Sequence, residues 1–285
     1  MEITNPTNQE VLVRASCFLQ ERQPSFSKED CDWYVRQLSL YLNQWTMTDL
    51  LIHLNQPAVV GLWEQMESLL IRLSNFEPLQ YITKQAEFYG REFEVSPSVL
   101  VPRPESEEMI NLLLKLVPRD DQPRTLIDIG TGSGCLGITA ALELPDNWHV
   151  VLSDISPKAL LVAEKNAKKL GAKIFTQKQS LLLGQFEKLD CILANLPYVD
   201  KSWKNTSPEL RHEPSEALYA SEGGLKLIRE LIQQAPKHMT DQGLLFIEAD
   251  EEQHQTIIAF GNQNGFLHLE TSGLIVVLRL VSTER

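Results

Sequence analysis

Thr125-Leu126-Ile127-Asp128-Ile129-Gly130-Thr131-Gly132-Ser133-Gly134 runs from a short aliphatic stretch into three alternating glycines. Residues 135–144 follow with helical spacing of apolar side chains. A buried strand, a glycine turn and a helix in that order open a βαβ unit. The glycines allow a tight turn and let a ligand approach the backbone closely. Beyond this stretch the alternation continues. Strands are predicted at 148–153, 173–176, 189–194 and 243–248, and helices at 157–170, 222–235 and 251–261. Pro157 suits the first turn of its helix. Two further strands, near 266–270 and 274–280, lie close enough together to form an antiparallel hairpin at a sheet edge. The pattern predicts an α/β, Rossmann-like fold: a mostly parallel sheet with helices on both faces.

Upstream the period changes. Ser27-Lys28-Glu29-Asp30 has the form of a capping box, with Asp30 in the place of the usual Glu. Cys31, Val35, Leu38, Leu42 and Trp45 recur at helical steps, as do Leu62, Trp63, Met66, Leu69, Leu70 and Leu73. Such stripes read as the core of a small helical bundle. Phe88-Tyr89-Gly90 and Glu92-Phe93-Glu94-Val95 suggest a hairpin turning at Gly90 and Arg91. Pro97, Pro102 and Pro104 punctuate an extended segment, and a helix is expected from Glu105 to about Leu116. The domain reading is therefore a helical domain over 1–76, a linking hairpin and extended segment over 77–104, and an α/β domain over 105–285.

Of the 285 residues 43% are apolar and 22% charged, a globular composition that excludes wholesale disorder. No apolar run approaches the length of a membrane span. Met1-Glu2-Ile3-Thr4-Asn5 lacks a basic or apolar leader, so a cytoplasmic location is expected. The net charge of −12 argues against a nucleic-acid partner, which is held mainly through its phosphates. The tightest basic run, Lys165 with Lys168 and Lys169, reads as a solvated helix face. Cys17, Cys31, Cys135 and Cys191 form no C-x-x-C pair, and the six histidines show no ligand spacing, so no metal is expected.

Two groups sharpen the glycine turn. Asp154 ends the second strand, 24 positions beyond Gly130, where a carboxylate can accept from both ribose hydroxyls of a nucleoside. The G-x-G-x-G spacing suits S-adenosylmethionine, which has no phosphate, better than a dinucleotide. Asn195-Leu196-Pro197-Tyr198 directly follows the strand Cys191-Ile192-Leu193-Ala194. An amide or exocyclic amine nitrogen is a poor nucleophile, because its lone pair is delocalised. The Asn195 side-chain oxygen and the Leu196 carbonyl can each accept one N–H and aim that nitrogen at a methyl group. Tyr198 can pack on a planar substrate.

In these features the sequence resembles the protein-(glutamine-N5) methyltransferases that modify translation release factors. Also similar to that family are Glu77-Pro78-Leu79-Gln80-Tyr81-Ile82-Thr83, Glu87-Phe88-Tyr89-Gly90, Leu100-Val101-Pro102-Arg103-Pro104-Glu105-Ser106-Glu107 and Arg211-His212-Glu213-Pro214. The resemblance covers nearly the whole chain. It implies a seven-stranded S-adenosylmethionine-dependent methyltransferase sheet behind a helical domain that binds the release factor. It also implies methylation of the Gln of a Gly-Gly-Gln loop, with S-adenosylhomocysteine as product. Gly130, Thr131, Gly132, Ser133, Gly134, Asp154, Leu181, Leu182 and Asn195 would hold the cofactor. Phe88, Arg103, Asn195, Pro197 and Tyr198 would face the substrate, and Asn195, Leu196, Pro197 and Tyr198 would serve catalysis. A monomer is expected.

The chain departs from the family at several points. Thr is usual where Ser106 stands. After the third strand the family has Ser-Asp near the adenine, but here Ser180 is followed by Leu181, which cannot accept a hydrogen bond. Leu196 replaces the commoner Pro, Asp250 stands in a Glu-x-Gly pattern, and Val276 takes the place of an Arg. Two other readings stand beside the leading one: an adenine-N6 methyltransferase of nucleic acid, and a diverged release-factor-binding protein that transfers no methyl group.

Overall fold

The computed structural model describes residues 5–185, 187–203 and 207–281. Residues 1–4, part of the stretch read above for a leader, lie outside the described residues. The chain divides into two compact units, 1–84 and 85–285, so the hairpin read above as a linker falls in the second unit.

The first unit is helical: α1 Asn8–Arg22, α2 Lys28–Asn43, α3 Met47–His53, α4 Leu62–Ser74 and α5 Leu79–Thr83. Reciprocal capping boxes start three of these helices, at Thr7 with Glu10, Ser27 with Asp30, and Thr46 with Asp49. The expected stripes meet in one core of Leu19, Cys31, Val35, Leu38, Met66, Leu70 and Leu73. Trp45 lies beyond the end of α2. Gln44 turns left-handed there, and the indole stacks on His53 instead.

The second unit begins with the hairpin β1 Gln85–Phe88 and β2 Arg91–Glu94. Its turn is Tyr89-Gly90, both at positive φ, one residue earlier than expected, so Arg91 already belongs to β2. A 3₁₀ turn, Pro104–Ser106, leads into α6 Glu107–Leu116. Then follow β3 Arg124–Ile129, α7 Cys135–Glu143, β4 Trp148–Asp154, α8 Pro157–Leu170, β5 Phe175–Lys178 and β6 Leu189–Ala194. A short α9, Ser215–Leu218, precedes α10 Lys226–His238, β7 Met239–Glu248, α11 Glu251–Gln263, β8 Phe266–Ser272 and β9 Ile275–Leu280.

The sheet has seven strands in the order β5-β4-β3-β6-β7-β9-β8. The first five are parallel, whereas β9 runs antiparallel to both β7 and β8. Strand order reverses between β3 and β6, and in such sheets ligands bind at the carboxyl ends of the strands flanking the reversal. Two boundaries differ from expectation for local reasons. β5 starts two residues later, because α8 ends on a left-handed Gly171 and the chain needs a link to reach the sheet. α10 starts at Lys226, because Glu222, Gly223 and Gly224 all have positive φ and cannot begin a helix. Lys165, Lys168 and Lys169 lie exposed on α8, and Lys169 pairs with Glu92.

Candidate active site

The carboxyl ends of β3, β4 and β6 surround a cavity of about 330 Å³, at the lower end of the range for small-molecule sites. The glycine turn forms one wall. Gly130 and Thr131 N–H groups donate to the Ser153 carbonyl at 2.9 and 3.0 Å, tying the turn to β4. Asp128 is buried beneath it and accepts from Thr131 Oγ1 at 2.6 Å and from Gly137 N at 2.9 Å. Burial pushes its carboxyl up to about 6 against these two hydrogen bonds, which pull it down. Gly134 sits at φ +84°, and a Cβ there would lie 3.1 Å from the Cβ of Ala163 on α8, so glycine lets the start of α7 approach α8 closely.

Asp154 is the second wall. One carboxylate oxygen accepts from Gly132 N at 3.0 Å and the other from Ser156 N at 2.8 Å. These bonds fix the plane of the carboxylate, and each oxygen keeps a lone pair for a further donor. Burial raises its pKa, and the Ser156, Gly132 and Ile155 backbone groups oppose the rise. A carboxylate so held can accept from two vicinal hydroxyls.

Asn195 closes the third side. Its Nδ2 donates to Ser106 Oγ at 3.1 Å, which leaves Oδ1 as the acceptor. Tyr198 Oη donates to Glu248 Oε1 at 3.4 Å. Glu248 is buried, which raises its pKa, while Ser106, Tyr198 and Asn195 pull it down. Leu196 lies over the turn: a Cβ on Gly130 would come within 3.2 Å of its side chain. The residue that departs from the family pattern thus packs against the loop it borders.

The cavity brings together Arg103, Gly130, Thr131, Gly132, Ser133, Asp154, Leu181, Asn195, Leu196 and Pro197 among the residues expected from sequence. Gly134 stands just behind the wall. Three others are placed elsewhere. Phe88 is wholly buried in the core, edge-on to Phe93, and does not line the cavity. Leu182 is likewise buried in the core beneath α10. Tyr198 lies outside the lining, with its hydroxyl turned to Glu248. Val276 is a core residue of β9, and Asp250 is the N-cap of α11, so both departures serve the fold locally.

Sequence reasoning marked Glu213 only as part of a motif, without a role, and missed the other supports. Glu213, whose side chain is completely buried, pairs with Arg103 and accepts from Val101 N at 3.3 Å, which binds two separated motifs into one wall. Gln253 Nε2 donates to the carbonyls of Tyr198 at 2.9 Å and Gly223 at 2.7 Å. Asn166 links the hairpin to the glycine turn, through the Glu94 and Ser133 carbonyls. A polar residue on an otherwise apolar helix face was the available signal for Asn166. Among the described residues no group of three or more His, Cys, Asp or Glu could hold a metal ion, and no helix is long and apolar enough to cross a membrane.

A glycine turn, a carboxylate on the next strand and an Asn-x-Pro-Tyr loop across the cavity define a methyltransferase, and residues 107–263 match the methyltransferase small domain. Residues 10–83 match the PrmC N-terminal domain. The chain is 35% identical over 247 residues to the release factor glutamine methyltransferase of Enterococcus faecalis, covering 86% of each. It is 36% identical to that of Neisseria gonorrhoeae, covering 82% of this chain and 86% of the relative. The chain belongs to the release factor glutamine methyltransferase family. The fold is shared with a Thermus thermophilus 16S rRNA methyltransferase, at TM-score 0.52 and 17% identity over 70% of this chain and 50% of that one. It is also shared with a Pyrococcus furiosus methyltransferase, at TM-score 0.51 and 15% identity over 71% and 94%.

Proposed function

We propose that the chain transfers a methyl group from S-adenosylmethionine to the side-chain amide nitrogen of the Gln in a release factor's Gly-Gly-Gln loop. The observation that carries this reading is Asn195, clamped by Ser106 at a cavity that also holds Asp154 and the glycine turn. The donor set fits the cofactor. Asp154 has acceptor capacity for the ribose hydroxyls, and Gly130 and Gly132 leave room beside the turn. When bound, S-adenosylmethionine supplies an electrophilic methyl group. Asn195 Oδ1 and the Leu196 carbonyl then accept the two N–H bonds of the substrate amide, which orients its nitrogen and favours the positive charge that develops there. The amide proton leaves to water.

In this reading the helical unit docks the release factor, and a translation factor as substrate makes the cytoplasm the place of action. The enzyme acts as a monomer without direct contact to nucleic acid, in keeping with a charge of −12. The test is mass spectrometry of a purified release factor after incubation with the chain and S-adenosylmethionine. One added methyl group on the loop Gln is expected. An unmodified loop with full cofactor binding would overturn the reading.

A further inference from the structure

Gln179 follows β5 and lines the cavity, yet only 8% of it is exposed. Both ends of its carboxamide, Oε1 and Nε2, are buried without a hydrogen-bond partner. Its backbone N–H donates to the Asp154 carbonyl at 3.2 Å, so it stands beside the carboxylate proposed to hold the ribose. Four other polar side chains of the wall have partners: Thr131 with Asp128, Asp154 with Gly132 and Ser156, Asn195 Nδ2 with Ser106, and Arg103 with Glu213. Among the described residues, Gln179 is the one cavity-lining side chain whose buried polar atoms lack a partner. Leu181, two positions on, offers the cavity only hydrocarbon.

A buried, unpaired amide disfavours the empty protein and is relieved by a ligand that pairs with it. A carboxamide presents an acceptor and a donor side by side in one plane. That is the complement of a nucleobase edge with an amine next to a ring nitrogen, and Gln pairs with adenine in this bidentate manner in DNA readout. We propose that Gln179 reads the adenine of the bound methyl donor, with Oε1 accepting from the 6-amino group and Nε2 donating to N1, the neighbouring nitrogen on the face of the base away from N7. It thereby takes over the task for which the resembling family has an Asp at the position of Leu181. The assignment rests on the proposed cofactor and adds the residue that selects its base.

The test is titration calorimetry of the full chain with S-adenosylhomocysteine, beside thermal unfolding without ligand. Gln179→Met keeps the volume and removes the orphaned groups. Its affinity is expected to fall about 5- to 50-fold, while the unliganded Tm stays level or rises. Unchanged affinity overturns the assignment, and so does a loss of affinity accompanied by a lower Tm, which marks a structural role. A wild-type chain that binds no S-adenosylhomocysteine overturns the cofactor reading itself. A second probe is S-inosylhomocysteine, in which oxygen replaces the amine. A carboxamide can turn over, donate to that oxygen and accept from the protonated ring nitrogen, so wild-type affinity should stay within about 10-fold. A loss beyond about 100-fold would mean that the amine is held by a fixed acceptor, and would overturn the assignment.

Discussion

Asn195 and Ser106, 89 positions apart in the chain, meet side chain to side chain, Nδ2 to Oγ at 3.1 Å. Ser106 ends the 3₁₀ turn before α6 and is almost fully buried. An Asn amide has two orientations, and only one presents oxygen to an incoming N–H. The Ser106 hydroxyl, backed by the buried Glu248, favours that one.

Ser106→Ala should therefore lower kcat for methyl transfer by about 10- to 100-fold, as for partial loss of a preorganised acceptor. S-adenosylhomocysteine affinity should stay near wild type. Ser106→Thr keeps the hydroxyl and should retain most of the rate. Single-turnover kinetics beside calorimetry separate the two effects, and equal rates in wild type and Ser106→Ala would remove Ser106 from its positioning role.

The affinity for S-adenosylmethionine should depend on pH through Asp154. Burial raises the pKa of this carboxyl in the free protein, and the ionised form is the one that accepts from hydroxyls. Binding should then be constant at high pH and weaken as pH falls through the raised pKa, at higher pH than for an ordinary Asp. Asp154→Asn should bind more weakly, with a flat profile in titration calorimetry. A wild-type profile that is equally flat would contradict this.

Gly224→Ala should disrupt the Asn195 loop from the side away from the cavity. A Cβ at Gly224 would lie 1.8 Å from the Tyr198 carbonyl and 2.5 Å from Gln253 Nε2, at a backbone φ of +81°. Either Tyr198 or the turn before α10 must move. Transfer should fall by about 100-fold, in line with the sensitivity of rate to small displacements of the reacting groups. Wild-type turnover by a folded Gly224→Ala chain would show that the loop tolerates displacement.

Arg103→Ala should destabilise the fold by about 2–3 kcal/mol in denaturant unfolding, because it strands a buried Glu213 carboxylate. The figure lies below the usual range for a buried pair because Arg103 keeps 34% of its side-chain surface in water. Adding Glu213→Gln should recover more than half of the loss. Additive losses in the double variant would show that the pair is not coupled.

Much of this molecule could be read from pattern. The strand Leu189–Ala194, the glycine turn and Asp154 announce themselves, because a buried parallel strand needs consecutive aliphatic residues and a tight turn needs glycine. The capping box at Ser27 is equally local and is met in the structure. What stayed hidden depends on distance. Phe88 belongs to a motif near the site, yet alternation along β1 turns it into the core. Glu213, Gln253 and Gln179 acquire meaning only from what the fold brings beside them. The left-handed run before α10 was missed because Glu222 and Leu225 read as helix formers until two glycines at positive φ intervene.

The position of β9 bears on how the chain is made. It lies between β7 and β8 although it follows both in sequence. During synthesis β7 can zip onto β6, but its other edge, carrying Leu244 to Glu248, stays bare until Ile275–Leu280 has emerged. Until then the stretch of β7 that ends up buried, residues 243–248, offers unpaired backbone to any neighbouring nascent chain, the condition under which sheets pair wrongly. Translation halted within β9 would leave out an inner stave of the sheet, and the product would be an aggregation hazard.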